Sequence, residues 1–593
     1  RVVLYRVGLK THLSPACRLR YKIPKGPYFD SCTLKPLDLI PISIWEKHGR
    51  LFSYLPIKLD NLPPNWLVNP ITGKGFDLPL KDWWTINEFD ESIGDIKLVW
   101  ELSRMDWVVA LSQRARNGDR ESLDKLNDWL NDWSIQNPAF KGPNWKCGQE
   151  ASIRVIHLAY ASMILGQHMK ANKALQGLLT AHLRRIAATK SYAIAQDNNH
   201  GTSEAAALYI GGSWLASLGI KEGIKWEVQG RNLLENRVSR LILNDGGFSQ
   251  YSLNYHRLML DSVSFVEVWR RELDSPRFSQ RFYDKASKAS NWLYQMISPQ
   301  SGLGPNLGGN DGARILQLTD SDYTDYRPTF QLAMLLFKEQ LAYSESGLWD
   351  HHLRWLGVSP KSFKASPQES FDANGGGFSV LRKSESMAVL RLPGFNFRPG
   401  QSDALHLDFW VSGVGIFRDA GSFSYHSYPD LSWYFNGAIS HNTIQFDERN
   451  QMPKISRFLY GCWLRAENFI KISSKKGITS TQVGYTDKWG SSHVRKVDLK
   501  DNQLRVKDEI EGFRNKAVLR WRLPKGSWKI IQNKDHIEIL IDNYKIIISA
   551  DMLISRCEIV DGWESIYYLD KSQCNILEVE VNTSGCLTTI LKW

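Results

Sequence analysis

The feature that most constrains this chain is a change of hydrophobic period part-way along it. From about residue 96 to 350, apolar residues recur at helical spacing in segments near 96–115, 120–133, 149–166, 171–188, 202–218, 225–242, 256–273, 283–298 and 329–341, joined by short polar or Gly-containing links. Consecutive helical hairpins must bury their apolar stripes on neighbours, which gives a bundle, a solenoid or a closed helical toroid. No sharp repeat is present, which argues against a regular solenoid. At Ser366 the texture becomes SPQESFDANGGGFSVLR, and SMAVLRLP, ALHLDFWVSG, HNTIQF, LRVKDEI, AVLRWRL, HIEILID and YKIIISAD follow as short β-branched or alternating runs between turn residues. That pattern predicts an antiparallel sandwich. The expected organisation is a Pro- and Trp-rich lead-in over 1–95, an all-helical domain over 96–365 and an all-β domain over 366–593.

A chain of 593 residues has room for several cores, since domains hold about 100–200 residues. No stretch approaches the roughly 18 uninterrupted apolar residues of a membrane span. The net charge of +12 favours a polyanionic partner. Nucleic acid is disfavoured by the lack of zinc-finger spacing, RNP-like words or basic heptads, whereas 23 Trp suit stacking on sugar rings. Acidic polysaccharide is therefore the expected partner. Seven scattered cysteines without a CxxC pair indicate neither a disulfide framework nor a thiolate zinc site. The chain opens on Arg1 with no basic-then-apolar signal, which leaves the compartment open.

Three polar clusters carry candidate chemistry. In DNNHGTSEAAALYIGGSWL (197–215), Asn198, Asn199 and His200 precede a helix expected to begin at Thr202 to Glu204, where oriented N–H groups favour an anion. In NDGGFSQYSLNYHRLMLD (244–261), Tyr255, His256 and Arg257 lead into another helix. Tyrosine ionises near pH 10 when unperturbed, and Arg257 or a protonated His256 is expected to lower that value enough for proton transfer. In the third cluster, strand alternation puts His406 and Asp408 on one face. Gln401, Asp419 and His441 there are candidate ligands of one divalent ion.

Together the clusters resemble a known family. NWKCGQEASIRVIHL (144–158), NNHGTSEAAAL (198–208), DGGFSQYSLNYHRLMLD (245–261), SDALHLDFWVSGVGIFRDAGSFSY (402–425) and SHNTIQFD (440–447) look like the words of bacterial heparinase II/III-type polysaccharide lyases, in the family's order. The resemblance implies an incomplete α/α toroid followed by an antiparallel β-sandwich, and a periplasmic or secreted location. It implies that Asn199 and His200 neutralise a substrate uronate carboxylate and that Tyr255 transfers protons, with Glu204, His256 and Arg257 as substrate-binding neighbours. It also implies a structural calcium or zinc ion on Gln401, Asp419 and His441, with no organic cofactor. One departure stands out: relatives carry a catalytic histidine just before the word matching Gln401-Ser402-Asp403, where this chain has Arg398, Pro399 and Gly400. His406 is the expected substitute base.

The expected reaction is β-elimination on a uronate-containing polymer, glycosaminoglycan-like or capsular. A glycoside hydrolase is the enzymatic rival, with Glu204 and Asp245 as the carboxylate pair such chemistry requires. A catalytically silent glycan-binding protein is the third reading, and rests on the missing histidine.

Overall fold

The computed structural model describes residues 2–37, 40–43, 45, 49–59, 62–360, 363–426 and 429–593. Its helical half runs through Ile96–Ser103, Asp106–Arg116, Arg120–Gln136, Gly148–Ile164, Lys173–Gln196, Asn199–Ser217, Lys221–Leu241, Leu253–Glu272, Gln280–Met296 and Arg327–Lys338. These helices close into an incomplete α/α toroid. The first segment expected from sequence is two helices rather than one, because Met105 takes a left-handed conformation (φ 69°) between them. Among the described residues no helix is long and apolar enough to cross a membrane.

Small residues decide how closely the central helices approach. A side chain on Gly212 would run into the backbone of Glu227, one on Gly223 into Ala216, and one on Gly230 into Tyr209. The Asn199–Ser217 and Lys221–Leu241 helices therefore touch backbone to backbone, which their alternating Gly and Ala positions permit and larger residues forbid.

The C-terminal half is antiparallel throughout its named strands. An eight-stranded sheet runs from the Glu467–Lys475 strand to Lys529–Gln532, a four-stranded sheet pairs Ala517–Leu523 with Ser572–Val581 and Ile444–Phe446, and a five-stranded sheet holds Phe378–Lys383, Ser386–Arg391 and Leu407–Val411. The five-stranded sheet joins the two halves. Phe378, Val380, Met387 and Val389 pack into the helical core, while Leu381, Ala388, Leu390 and Phe409 pack into the sandwich core. With a side-chain period of two, one sheet thus serves two cores, and its strands read as continuous apolar runs.

Gly230→Ala is expected to destabilise the protein by about 1–3 kcal/mol, the usual cost of overpacking a close contact. A lowered midpoint of denaturant unfolding is the check; an unchanged midpoint means the helices can part without cost.

Candidate active site

Two turns of the helical domain are strapped together at one end of the toroid. Asp197 adopts φ 48° and ends the Lys173–Gln196 helix, and Asn198 caps the next helix by accepting the His200 backbone N–H at 3.1 Å. That helix begins at Asn199, earlier than the sequence indicates, because Asn198 is the cap and the Thr202 and Ser203 hydroxyls instead donate back to the Asn199 carbonyl. The Asn199 N–H donates to Gln250 Oε1 at 2.7 Å, and the Ser249 hydroxyl donates to the Asp197 carbonyl at 3.0 Å. From that second turn the Leu253–Glu272 helix starts, capped by Ser252. Two helix N-termini therefore lie side by side, each with its positive end at the same place. Asn199 is 4% exposed, and its side-chain amide has no hydrogen-bond partner among the described residues. His200 is partly exposed, with Nδ1 3.3 Å from Glu204 Oε1 one turn on.

Tyr255, in the first turn of the second helix, meets a residue of the sandwich. Its hydroxyl is 2.8 Å from the hydroxyl of Tyr425. Gly309 makes room, since a Cβ there would lie 2.6 Å from the Tyr425 oxygen and 3.2 Å from the Tyr255 ring. Beneath the pair sits Asp311, bonded to Lys97 at 3.0 Å and to the Asn254 amide at 3.4 Å. Burial opposes ionisation of Asp311, but Lys97 and Arg104 outweigh it and hold the carboxyl below its ordinary range. Lys97 also stands 4.6 Å and 5.0 Å from the ring centres of Tyr425 and Tyr568, and the Tyr568 hydroxyl accepts the Tyr425 N–H at 3.1 Å while donating to Asp95 at 2.6 Å. Burial first, then the Asp311 charge, pushes Tyr255 well above its ordinary value. Burial and Asp311 raise Tyr425 likewise, opposed by its hydrogen bond with Tyr255 and then by Arg398. At the seam of the domains lies a cavity of about 670 Å³ lined by Asn244, Asp245, Asp372, Asn374, Asn396 and Phe397, with none of the candidate catalytic residues in its wall. Its wall is tied to the site by Tyr251, whose hydroxyl accepts the N–H groups of Asn396 and Phe397 at 2.7 and 2.9 Å.

A second cluster lies inside the sandwich. His441 Nδ1 donates to Asp419 Oδ2 at 2.7 Å, which leaves Nε2 as an acceptor, and that atom is buried without a partner. Gln401 donates to the Gly421 carbonyl at 3.1 Å, and its Oε1 is likewise buried and unpartnered. Asp419 Oδ1 accepts the Gly421 N–H at 2.7 Å. Imidazole, amide and carboxylate are residue types that ligate divalent ions.

The comparisons with known proteins bear on both clusters. A sequence model of the heparinase II/III N-terminus matches residues 65–331, and one of the heparinase II/III-like C-terminal domain matches residues 365–589. The chain belongs to the heparinase II/III family. It is 20% identical over 479 residues to the heparin-sulfate lyase of Bacteroides stercoris, a match that takes in 73% of this chain and 65% of that protein. The crystal structure of a heparinase III superposes with a TM-score of 0.67 at 16% identity, over 99% of this chain and 89% of the other. The heparan sulfate lyase HepC of Pedobacter heparinus gives 0.58 at 16% identity, over 100% and 87%. These likenesses establish the toroid-and-sandwich fold.

Within this heparinase II/III chain the structure corrects several expectations. His406 is fully buried in the sandwich, where its Nδ1 accepts the Asn442 N–H at 2.9 Å and its Nε2 faces Asp408 at 3.4 Å. Both nitrogens are engaged beside Asp419 and His441, so His406 is a structural residue and not a base in the cleft, although one of its nitrogens comes within 4.8 Å of ligand atoms of both. His256 is buried too, stacked on Trp292 with ring centres 4.5 Å apart and bonded to the Ala289 carbonyl at 2.9 Å. Arg257 turns inward to the Tyr323 carbonyl and to Asn254 Oδ1. Neither touches the cleft or lowers Tyr255; Arg257 steadies Asn254, which in turn holds Asp311. Glu204 is buried against Gly148 and orients His200 rather than contacting sugar. Asp245 spends its carboxylate on the N–H groups of Gly247 and Gly376, at 3.0 and 2.8 Å. Both carboxylates are thus engaged within the fold, which does not favour the hydrolase reading. Tyr425, Asp311 and Lys97 were missed by sequence reasoning. Tyr425 ends the SFSY stretch of the quoted family word, and Asp311 sits in GGNDGA, whose Gly and Asn density marks a close-packed turn.

His406→Ala should lower the thermal midpoint, since it strands the buried Asn442 N–H at a cost of about 1–3 kcal/mol; a midpoint equal to wild type would return His406 to the list of candidate bases. His256 is held neutral by burial, with its value lowered to about 4 from 6.5. Its contribution is complete above pH 6.5 and lost as pH falls toward 4, on the order of 3 kcal/mol in all. In His256→Gln the fall of stability with pH should flatten in that window, as read from denaturant midpoints at each pH.

Proposed function

We propose that the protein is a polysaccharide lyase that cleaves a uronate-containing acidic polysaccharide, glycosaminoglycan-like or capsular, by β-elimination. The observation that carries this reading is the hydrogen bond between Tyr255 and Tyr425 next to a helix N-terminus bearing an uncommitted Asn199 amide and His200. In a uronate the C5 proton lies α to a carboxylate, and its removal leaves an enolate that needs its charge offset. Asn199 and His200, fixed at a positive helix end, supply preorganised donors for that charge. One phenol of the pair takes the C5 proton as phenolate, the C5–H electrons form the C4–C5 double bond, the C4–O4 bond breaks, and a phenol proton goes to O4. The two hydroxyls share a hydrogen bond, so the proton lost by one is available from the other.

Incubation with a panel of uronate polysaccharides, heparan sulfate included, tests the reaction. The expected result is an ultraviolet-absorbing unsaturated product, lost in Tyr255→Phe with the fold intact; saturated products alone would mean hydrolysis. Because Tyr255 and Tyr425 are both raised, the phenolate is scarce at neutral pH. Turnover should therefore climb with pH from 7 to 9, approaching tenfold per unit; a flat profile would make the pair an acid only. Asn199→Ala should lower kcat more than it raises KM, because its donor counts most as enolate charge develops.

The sandwich site is proposed to hold one divalent ion on Gln401, Asp419 and His441, the His441 Nδ1–Asp419 Oδ2 contact giving way to the ion, where it would tie strand ends together. The mixed N and O donors suit calcium or zinc. Chelation should lower the thermal midpoint of wild type and add little to His441→Ala; no bound metal by elemental analysis and no chelator effect would remove the ion.

A further inference from the structure

The hairpin of Lys454–Ser456 and Leu459–Tyr460 turns at Arg457 and Phe458, and the turn reaches the phenol pair. Arg457 donates from Nη1 to the Tyr425 carbonyl at 2.7 Å, and its guanidinium lies 4.2 Å from the ring centre of Phe89. Phe458 meets the Tyr425 ring edge-on, with centres 5.3 Å apart. Phe89 lies parallel to His426 at 6.2 Å. Phe89 and Phe458 remain about two-fifths exposed, at 41% and 40%. A strip of aromatic faces with one cation in it thus leads outward from the Tyr255–Tyr425 hydroxyls.

We propose that Arg457, set between Phe89 and Tyr425, is a specificity-determining residue that binds an anionic substituent, sulfate or carboxylate, on the sugar next to the one that loses its proton. The inference rests on the lyase reading and deepens it. Some surface arginines of this chain are committed to carboxylates, as Arg184 to Glu222, Arg240 to Asp197 and Arg556 to Glu558, and others, such as Arg116 and Arg231, are bonded to carbonyls; Arg457 is of the second kind and is the one attached to Tyr425. Arg457 forms no ion pair among the described residues, although it is held in place by a carbonyl and a ring. One donor is used, and the rest of its planar fork is available in the geometry that matches an oxyanion in two parallel bonds. The ring of Phe89 strips water from one face of the cation, which strengthens its attraction for a ligand anion. Lys454, lowered by burial and by Arg457 itself, adds positive potential and no compensation. Tyr425 joins this patch to the chemistry, since its carbonyl holds Arg457 and its hydroxyl holds Tyr255.

The test measures binding of a heparan-type tetrasaccharide, by calorimetry, to Tyr255→Phe and to the same protein carrying Arg457→Ala or Arg457→Lys. Sulfated, desulfated and carboxyl-reduced tetrasaccharides are compared. A loss of about tenfold for Arg457→Ala, with a smaller loss for Arg457→Lys, is expected on the ligand that carries the recognised group. Loss greatest on the sulfated ligand supports sulfate; equal loss on sulfated and desulfated ligands that shrinks on the carboxyl-reduced one supports carboxylate. Equal loss on all three, no loss, or no binding of any ligand overturns the proposal. Because binding is read without turnover, a failure here is distinct from a failure of the lyase reading, which would show as wild type yielding no unsaturated product.

Discussion

Strands Phe378–Lys383 and Ser386–Arg391 put alternate side chains into two cores, Val380 and Val389 into the helical one and Leu381 and Leu390 into the sandwich, and this double burial fixes the two phenols against each other. The magnitudes decide which is cause. Each aliphatic side chain buried there contributes about 1.5–3 kcal/mol, whereas a neutral hydrogen bond contributes about 1 kcal/mol net. The Tyr255–Tyr425 contact is therefore a result of the docking of the domains and not its source. Its geometry is correspondingly firm, because neither ring can move without opening a core.

That firmness sets the electrostatics of the cleft. Asp311 is kept ionised under the phenols by Lys97 and Arg104, and together with burial it keeps both phenols protonated at rest. A uronate entering the site brings a further negative charge into the same low-dielectric space. Something must offset it, and the groups placed to do so are Asn199 and His200 at a helix N-terminus, where the partial positive charge is fixed by the backbone and needs no reorganisation. Glu204 has the smaller task of holding the imidazole in one orientation.

Much of this was legible in the sequence, for reasons that differ by residue. Helices with a one-sided apolar stripe and strands with period two declare themselves, whereas the close crossing at Gly212, Gly223 and Gly230 emerged only in the structure. Asn199, His200 and Tyr255 were visible because polar residues precede a long apolar run and so sit at its helix start. The inward turn of His256 and Arg257 was not visible. A residue in the first turn of a helix faces solvent or core according to what packs on that turn, and Trp292 and Tyr323 come from distant parts of the chain. His406 misled for a related reason: the alternation correctly paired it with Asp408, but which face of that strand meets the cleft is set by a sheet buried on both sides. Tyr425 and Asp311 are separated from Tyr255 by 170 and 56 positions, and no spacing rule links them.

The Arg398-Pro399-Gly400 departure can then be read as a change of partner for Tyr255. A histidine at this point in relatives would bring to the cleft a base with an ordinary value near 6.5. In this chain the group in hydrogen-bond contact with Tyr255 is a phenol, and the loop contributes a guanidinium that opposes the burial of Tyr425. Burial and Asp311 raise both phenols, but the shared hydrogen bond raises Tyr255 further while that bond and Arg398 lower Tyr425, so Tyr425 is the more readily ionised of the two and the loss of a proton from the pair is costly. Such a pair is slow to lose a proton to solvent and well suited to moving one from C5 to O4 on the same face of a sugar. Under the proposed chemistry, losing the histidine leaves the reaction possible and moves its control from an imidazole to the local field of Asp311, Lys97 and Arg398.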